Sequence, residues 1–234
     1  MDVRDVAYAR RLSLGAEGLD GFEVFYISTD TTLDEDTQDV VERVYPSHHF
    51  FYKKPPCGVR MTTKRVRQAA YYAMLCGAMG HTYGCRDAWS FHVPSDQPPN
   101  RDIDTHWRDA IRFSAAQQLR HLRRLFTDHP WYALVPDQDN SLVVHGSWEA
   151  NFRIQGALSE DGRYAVVYIP DDMPVWVDLN RLKGEAVDAR WFNPANGEYH
   201  FIQRFHDSSV TRFYWSENAN EQDHLLALST LVGG

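Results

Sequence analysis

The sequence predicts an α/β segment followed by an all-β segment, with the change near residue 129. Upstream, short strand-like runs alternate with helical patterns, which is typical of a parallel sheet or barrel. Downstream, helical periodicity disappears and short apolar runs recur with turn signals between them, which is typical of a β-sandwich. We therefore predict an α/β barrel segment over residues 1–128 and a C-terminal β-sandwich over residues 129–234.

Four elements carry the α/β prediction. Residues 22–27 alternate as a strand does, and residues 36–44 have the pattern of a short helix. A longer helix is predicted over residues 66–79, and a short strand over residues 81–83 follows it. After a proline-rich loop, residues 107–126 repeat their apolar positions at helical intervals and predict one amphipathic helix.

The downstream strands are predicted from apolar runs that end at turn residues. The sequence Asn-Pro-Ala-Asn-Gly at residues 193–197 is the strongest turn signal, since proline fixes one φ angle and asparagine or glycine accepts a left-handed one. The predicted strands are residues 163–169, 175–179, 187–192, 201–205, 211–215 and 224–231.

Composition excludes several classes of function. The net charge of −8 argues against a nucleic-acid partner, because phosphate binding needs a concentrated basic face. No apolar run reaches the length of a membrane span, and the N-terminal MDVRDVAYARRL has no hydrophobic signal core, so we predict neither a membrane partner nor a signal peptide. The three cysteines lack CxxC spacing and the histidines show no ligand pattern, so we predict no metal site and no cofactor.

Residues 66–89, VRQAAYYAMLCGAMGHTYGCRDAW, form the most informative stretch of the chain. Small side chains at helical spacing let the predicted helix lie close on a sheet. The glycine-bounded run that follows would bring His81, Tyr83 and Trp89 to the mouth of a site. The alternative is that these aromatic residues pack a core, as aromatic side chains often do.

This stretch, with AAQQLRHLRRLF and PWYALVPDQ after it, resembles the closing part of the apiosidase-like glycoside hydrolases. The later segments GRYAVVYIP, VWVDLNRLKGEAVDARWFNPANGEY and DHLLAL resemble the small β-domain, often labelled a collagen-binding domain, that follows the catalytic TIM barrel in that family. The resemblance covers most of residues 66–231 and implies a partial TIM barrel before the β-sandwich. The first 65 residues match less well.

The resemblance implies catalysis by two carboxylates that flank a glycosidic bond. One alignment places Glu42 on the family's Glu-x-x-Tyr segment and makes it the nucleophile, with Tyr45 beside it. A second alignment places Tyr52-Lys53-Lys54-Pro55-Pro56 on the preceding Lys-Pro segment and leaves no nucleophile, in which case Glu42 is a solvated helix residue. The other carboxylate belongs to an earlier strand, which we expect this chain to lack.

The family pattern also implies a sugar-binding wall made of His81, Tyr83, Asp87 and Trp89. In a TIM barrel the residues at the C-terminal ends of strands carry the site, and tyrosine and tryptophan rings can pack against the apolar face of a sugar. An exposed loop ion pair is the alternative role for Asp87, together with Arg86.

The expected function is hydrolysis of O-glycosidic bonds in a complex, plant-type polysaccharide. A complete barrel needs about 250 residues, so we expect a truncated or split enzyme whose barrel is completed by self-association or by a partner chain. The alternative is a non-catalytic carbohydrate- or protein-binding module built on the β-sandwich. The resemblance also implies an exported or periplasmic protein.

Overall fold

The computed structural model describes residues 62–78, 80–95, 103–147, 153–207, 209–215 and 223–230. Its helices are α1 Thr63–Leu75, α2 Arg86–Trp89, α3 Trp107–Ala110 and α4 Ser114–Thr127, followed by a 3₁₀ turn Trp131–Ala133 and a second 3₁₀ turn Leu179–Arg181. The strands are β1 Leu134–Pro136, β2 Val143–His145, β3 Gln155–Ser159, β4 Tyr164–Ile169, β5 Val175–Asp178, β6 Val187–Phe192, β7 Tyr199–Phe205, β8 Val210–Phe213 and β9 His224–Thr230. None of the helices in these ranges is both long and apolar enough to cross a membrane.

Helix α1 begins and ends at residues suited to those positions. The Thr62 side chain accepts a hydrogen bond from the Arg65 N–H at 3.3 Å, as an N-cap does. After Leu75 the chain turns at Gly77, whose φ of 91° is in the left-handed region. The predicted helix over residues 66–79 is thus confirmed, but it begins three residues earlier and ends four residues sooner.

Two antiparallel sheets form the β part. The larger has six strands in the order β1-β3-β4-β9-β6-β7, and the smaller has three in the order β2-β5-β8. The predicted strands correspond to β4, β5, β6, β7, β8 and β9. The sequence prediction missed β1, β2 and β3, because two of them have only three residues and Gly156 interrupts the third.

The six-stranded sheet has an apolar core on each face. Along β4, Ala165 and Val167 pack with residues of the three-stranded sheet such as Val175 and Phe213. Tyr164, Val166 and Tyr168, at the alternate positions, pack with residues of α1 and α4. This period-2 alternation, with every residue buried, places β4 in the middle of three layers.

Helices α1 and α4 therefore lie on the sheet of the downstream segment. Tyr71 of α1 stacks on Tyr168 of β4 with centroids 5.5 Å apart, and Tyr72 meets the same ring edge-on at 5.1 Å. Phe126 of α4 joins the same core. The two predicted segments consequently share a core, and the division at residue 129 remains a prediction.

The predicted strand over residues 81–83 is wrong. Residues 80–85 have no regular secondary structure, and Thr82 is exposed. A side chain added at Gly80 or Gly84 would meet no atom within 4 Å, so the flanking glycines do not mark close packing between strands here. Every pair of neighbouring strands among the described residues is antiparallel, so a parallel barrel segment is not directly seen. The predicted strand over residues 22–27 and the predicted helix over residues 36–44 lie outside the described residues.

The single helix predicted over residues 107–126 is two helices, α3 and α4. Phe113 has an extended ψ of 140°, which breaks the helical path just before Ser114. Ala110 and Ala115 on either side are buried, whereas Ile111 is exposed. The apolar residues keep their helical spacing in the sequence across this break, so hydrophobic periodicity alone could not reveal that the helix is divided.

Candidate functional site

The candidate site is the segment 80–95 together with α3, and a buried carboxylate holds it together. Asp87 lies in the first turn of α2 and is fully buried. Its Oδ1 accepts hydrogen bonds from the backbone N–H groups of Asp104 at 3.1 Å and Thr105 at 2.8 Å. The Cys85 thiol donates to Oδ2 at 3.6 Å. Asp87 thus fixes the segment before α3 against α2.

A backbone bond brings α3 to the end of α2. The Trp107 N–H donates to the His92 carbonyl at 2.9 Å, and the His106 side chain caps α3 by accepting from the Arg108 N–H at 3.1 Å. This places the Trp107 ring edge-on to Phe91, with centroids 5.7 Å apart and planes at 73°. The result is a hydrogen-bonded connection that presents aromatic rings at the surface.

The exposed rings are large. Trp89 is 57% exposed and Phe91 is 68% exposed, whereas Trp107 is half-buried. Single exposed apolar residues are ordinary on a protein surface, but two within three residues, next to a buried carboxylate, are not explained by packing among the described residues. They are suited to contact a ligand with an apolar face.

His81 and Tyr83 lie on the irregular segment that leads into α2, and both are half-buried. Burial lowers the pKa of the His81 imidazole, which favours its neutral form. Its Nε2 atom is buried and accepts or donates no hydrogen bond among the described residues. A neutral imidazole can donate or accept one hydrogen bond at each ring nitrogen, depending on its tautomer.

The structure therefore brings Asp87 and Trp89 together on α2 and places His81 and Tyr83 just before them. Glu42 lies outside the described residues. Within the described part of the chain, no group of three His, Cys, Asp or Glu side chains is arranged to hold a metal ion.

Sequence reasoning missed Phe91 and Trp107. Phe91 follows a helix of only four residues, which is too short to show periodicity. Trp107 is the first residue of the long helix predicted over residues 107–126, which the structure divides in two. The one available signal was the density of aromatic residues at 89, 91 and 107 around a polar, proline-rich loop.

Two family models match the chain in tandem. Residues 39–133 match the model described as "Apiosidase-like, catalytic domain". Residues 135–229 match the model described as "Putative collagen-binding domain of a collagenase". No match was found among curated protein sequences.

Solved structures of glycoside hydrolases are similar to the chain. One, titled "Glycoside hydrolase", is 25% identical with a TM-score of 0.67, and the match covers 74% of this chain and 38% of that one. A glycoside hydrolase family 5 structure from Bacteroides vulgatus ATCC 8482 is 26% identical with a TM-score of 0.67, covering 74% of this chain and 37% of that one. The chain thus spans less than two fifths of the length of either structure.

These matches confirm the resemblance to an apiosidase-like catalytic domain followed by a collagen-binding domain. Glu42 and the whole segment 80–95 fall within the catalytic-domain match, as does α3. Strands β2 to β8 fall within the second match, and β1 and β9 each extend one residue beyond it.

Proposed function

Because residues 39–133 resemble an apiosidase-like catalytic domain, we propose that the chain is part of a glycoside hydrolase that cleaves O-glycosidic bonds in a complex, plant-type polysaccharide. One observation carries the proposal. The part of the chain that matches the catalytic domain holds the surface at α2, where Trp89 and Phe91 are exposed. Such rings suit the apolar C–H face of a sugar.

The chemistry requires two carboxyl groups. One protonates the glycosidic oxygen, and the other attacks the anomeric carbon or activates a water molecule. We assign the nucleophile or base to Glu42, which lies in the catalytic-domain match. The second carboxyl group would come from another part of a complete barrel, on a partner chain, a second copy or a longer form of this polypeptide.

The sugar contacts are assigned by exposure. Trp89 would pack on a sugar ring, and His81 and Tyr83 would hydrogen-bond its hydroxyl groups. Asp87 is fully buried and already accepts two backbone hydrogen bonds, so we assign it a positioning role. Its task would be to hold α2 and the segment before α3 in one arrangement.

The test is hydrolysis by the full chain. Aryl glycosides and pectic oligosaccharides are incubated with the unaltered protein, with Glu42→Gln, and with Glu160→Gln, whose exposed carboxylate lies at the turn after β3. Because a second copy can supply the second carboxyl group, the assay is run at concentrations where the chain self-associates. We expect reducing ends to appear with the unaltered chain and with Glu160→Gln, and to be lost with Glu42→Gln.

The other outcomes distinguish the alternatives. Binding of the oligosaccharides by the unaltered chain without any turnover would favour a non-catalytic carbohydrate-binding module over an enzyme. If turnover persists in Glu42→Gln, Glu42 is not a catalytic residue, but the proposal that the chain is part of a glycoside hydrolase still stands. The absence of both binding and turnover across the whole panel would contradict the proposal.

A further inference from the structure

Phe91 occupies a backbone position that usually belongs to glycine. Helix α2 ends at its C-cap Ser90, after which the Phe91 N–H donates to the Ala88 carbonyl at 3.2 Å and the His92 N–H donates to the Asp87 carbonyl at 3.0 Å. This pair of bonds is the Schellman motif, in which the residue after the C-cap is left-handed. Phe91 accordingly has a φ of 51°.

Helix α1 ends in the same motif with glycine at the equivalent position. The Gly77 N–H donates to the Met74 carbonyl at 3.1 Å, and the Ala78 N–H donates to the Ala73 carbonyl at 2.9 Å. A left-handed conformation strains any side chain with a Cβ atom, and glycine avoids that strain. Phenylalanine is therefore not needed to end α2.

Phe91 is unfavourable for folding in a second way, because 68% of it is exposed to water. Among the described residues, the edge-on contact with Trp107 does not account for a strained backbone and an exposed ring at one residue. Strain of this kind persists where the surrounding structure over-determines it, often at ligand-binding positions. Here the over-determination comes from Asp87 and from the bond between Trp107 and His92.

The neighbouring ring completes an apolar corner. Trp107 stands at 73° to Phe91 with centroids 5.7 Å apart, so the two planes are close to perpendicular. The Arg108 guanidinium lies 5.0 Å from the Trp107 ring and is exposed. An open corner of two rings beside a hydrogen-bond donor fits a ligand that has both apolar C–H groups and oxygen acceptors.

We propose that Phe91 and Trp107 form a sugar-binding subsite next to Trp89. A sugar ring packs its C–H face on Phe91 and its edge on Trp107, and Arg108 donates to its oxygens. The inference rests on the proposed function and deepens it, since the subsite holds a further residue of the same polysaccharide. Phe91 and Trp107 are binding residues in this scheme and take no part in the chemical step.

The test compares Phe91→Gly with the unaltered full chain by calorimetric titration with pectic oligosaccharides. Glycine keeps the left-handed turn and removes only the ring, so the urea midpoint of unfolding should be equal or higher. We expect binding to weaken about tenfold, equivalent to about 1.4 kcal/mol. Trp107→Leu should weaken binding as well, whereas Tyr132→Ala, which removes a ring that is 76% exposed on the 3₁₀ turn before β1, should not.

Each remaining outcome is decisive. Equal affinity of Phe91→Gly and the unaltered chain would overturn the subsite and leave the proposed function standing. A lower urea midpoint for Phe91→Gly would show that the ring packs in the fold, and would also overturn the subsite. Failure of the unaltered chain to bind any oligosaccharide would overturn the proposed function and the subsite together.

Discussion

The guanidinium of Arg67 on α1 lies against the carboxylate of Asp223, the residue before β9, in a buried two-point ion pair. The Arg67 Nε donates to Oδ2 at 3.2 Å, and Nη2 donates to Oδ1. The Tyr168 hydroxyl also donates to Oδ2, at 2.9 Å. Burial lowers the pKa of Arg67, but the hydrogen bond and charge of Asp223 outweigh it and leave that pKa raised. The pair joins the helical segment to the six-stranded sheet.

Removing one partner of this pair should destabilise the whole described fold. The Arg67 and Asp223 side chains are 8% and 0% exposed, so Arg67→Met would leave a buried carboxylate without its counter-charge. We expect the free energy of unfolding to fall by about 3–5 kcal/mol. Urea denaturation of the full chain measures it, because the midpoint and slope give that free energy.

The matched control is a half-buried pair between Lys64, on the same helix, and Asp171, which follows β4. Lys64 and Asp171 are 3.5 Å apart, with side chains 28% and 30% exposed. Lys64→Met should cost less than about 1 kcal/mol, since solvent screens such pairs. If Arg67→Met cost no more than Lys64→Met, the buried pair would not be what joins the helices to the sheet.

The turn at residues 193–197 yields a second prediction. Gly197 has a φ of 77°, and a side chain there would lie 2.9 Å from Cε1 of His121 on α4. Gly197→Ala would combine backbone strain with a clash against a buried ring, so we expect a loss of about 2 kcal/mol or more in unfolding free energy. Thermal or urea unfolding measures the loss.

Two other glycines provide comparisons for the expected cost of Gly197→Ala. Gly162 also has a positive φ, of 74°, but its Cβ would first meet the flexible Lys183 side chain at 3.0 Å, so Gly162→Ala should cost about 1 kcal/mol. Gly84 has no atom within 4 Å of such a Cβ, and Gly84→Ala should be close to neutral. A different order of the three losses would contradict the role given to the contact between Gly197 and His121.

Strands β4 to β9 are predictable from sequence because their apolar runs end at turn residues, whereas β1, β2 and β3 are not. The predicted strand over residues 187–192 coincides with β6, and the turn at 193–197 is confirmed. What could not be predicted is that Tyr71 and Tyr168 stack across the boundary between the two segments. Contacts between residues so far apart in the chain leave no periodic signal in either segment.

The sequence predicts several of the residues that form the candidate site, and their role in sugar binding remains a prediction. Asp87 and Trp89 were identified, yet only the structure shows Asp87 turned inward to accept backbone N–H groups and Trp89 turned outward. The strand predicted before them failed because glycines on both sides of an aromatic run suit an irregular segment as well as a strand. Exposure decides the role of each residue, and sequence does not give exposure.

A pH dependence follows from His81. Burial lowers the pKa of its imidazole below the ordinary 6.5, so the unfolded chain takes up the proton before the folded one does as pH falls. The stability contributed by neutral His81 is fully present above the unfolded pKa and is lost as pH falls below it. We therefore compare urea unfolding at about pH 7.5 and about pH 5, on either side of the ordinary imidazole pKa of about 6.5. We expect the free energy of unfolding to fall more over this interval for the unaltered chain than for His81→Gln.

His129 offers an independent comparison. Burial foremost, and then the charge of Arg190, lower the pKa of its imidazole, although Asp128 opposes them. His129→Gln should remove a separate part of the same pH dependence, since His129 stacks on Tyr164 with centroids 3.8 Å apart, away from α2. An identical pH profile for the unaltered chain and for His81→Gln would show that His81 is not desolvated.

Two substitutions of Asp87 test its positioning role. Asp87→Ala removes the acceptor of the Asp104 and Thr105 N–H groups, and losing a hydrogen bond to a charged group costs about 1.5–3 kcal/mol. Hydrogen exchange at these two amides should accelerate about tenfold or more, because 1.4 kcal/mol corresponds to tenfold in an opening equilibrium. Affinity for pectic oligosaccharides should fall with it, since the segment before α3 would lose its bonds to Asp87 and the bond between Trp107 and His92 would hold α3 less firmly.

Asp87→Asn keeps an oxygen at Oδ1 and removes the negative charge. If Asp87 only positions the loop, Asp87→Asn should preserve slow exchange at Asp104 and Thr105 and retain most of the sugar affinity. If Asp87 instead contacted the sugar as an anion, Asp87→Asn would lose affinity while exchange stayed slow. Measuring both hydrogen exchange and affinity thus shows whether Asp87 acts by positioning Trp107 or by touching the ligand. Affinity alone would not distinguish these two roles.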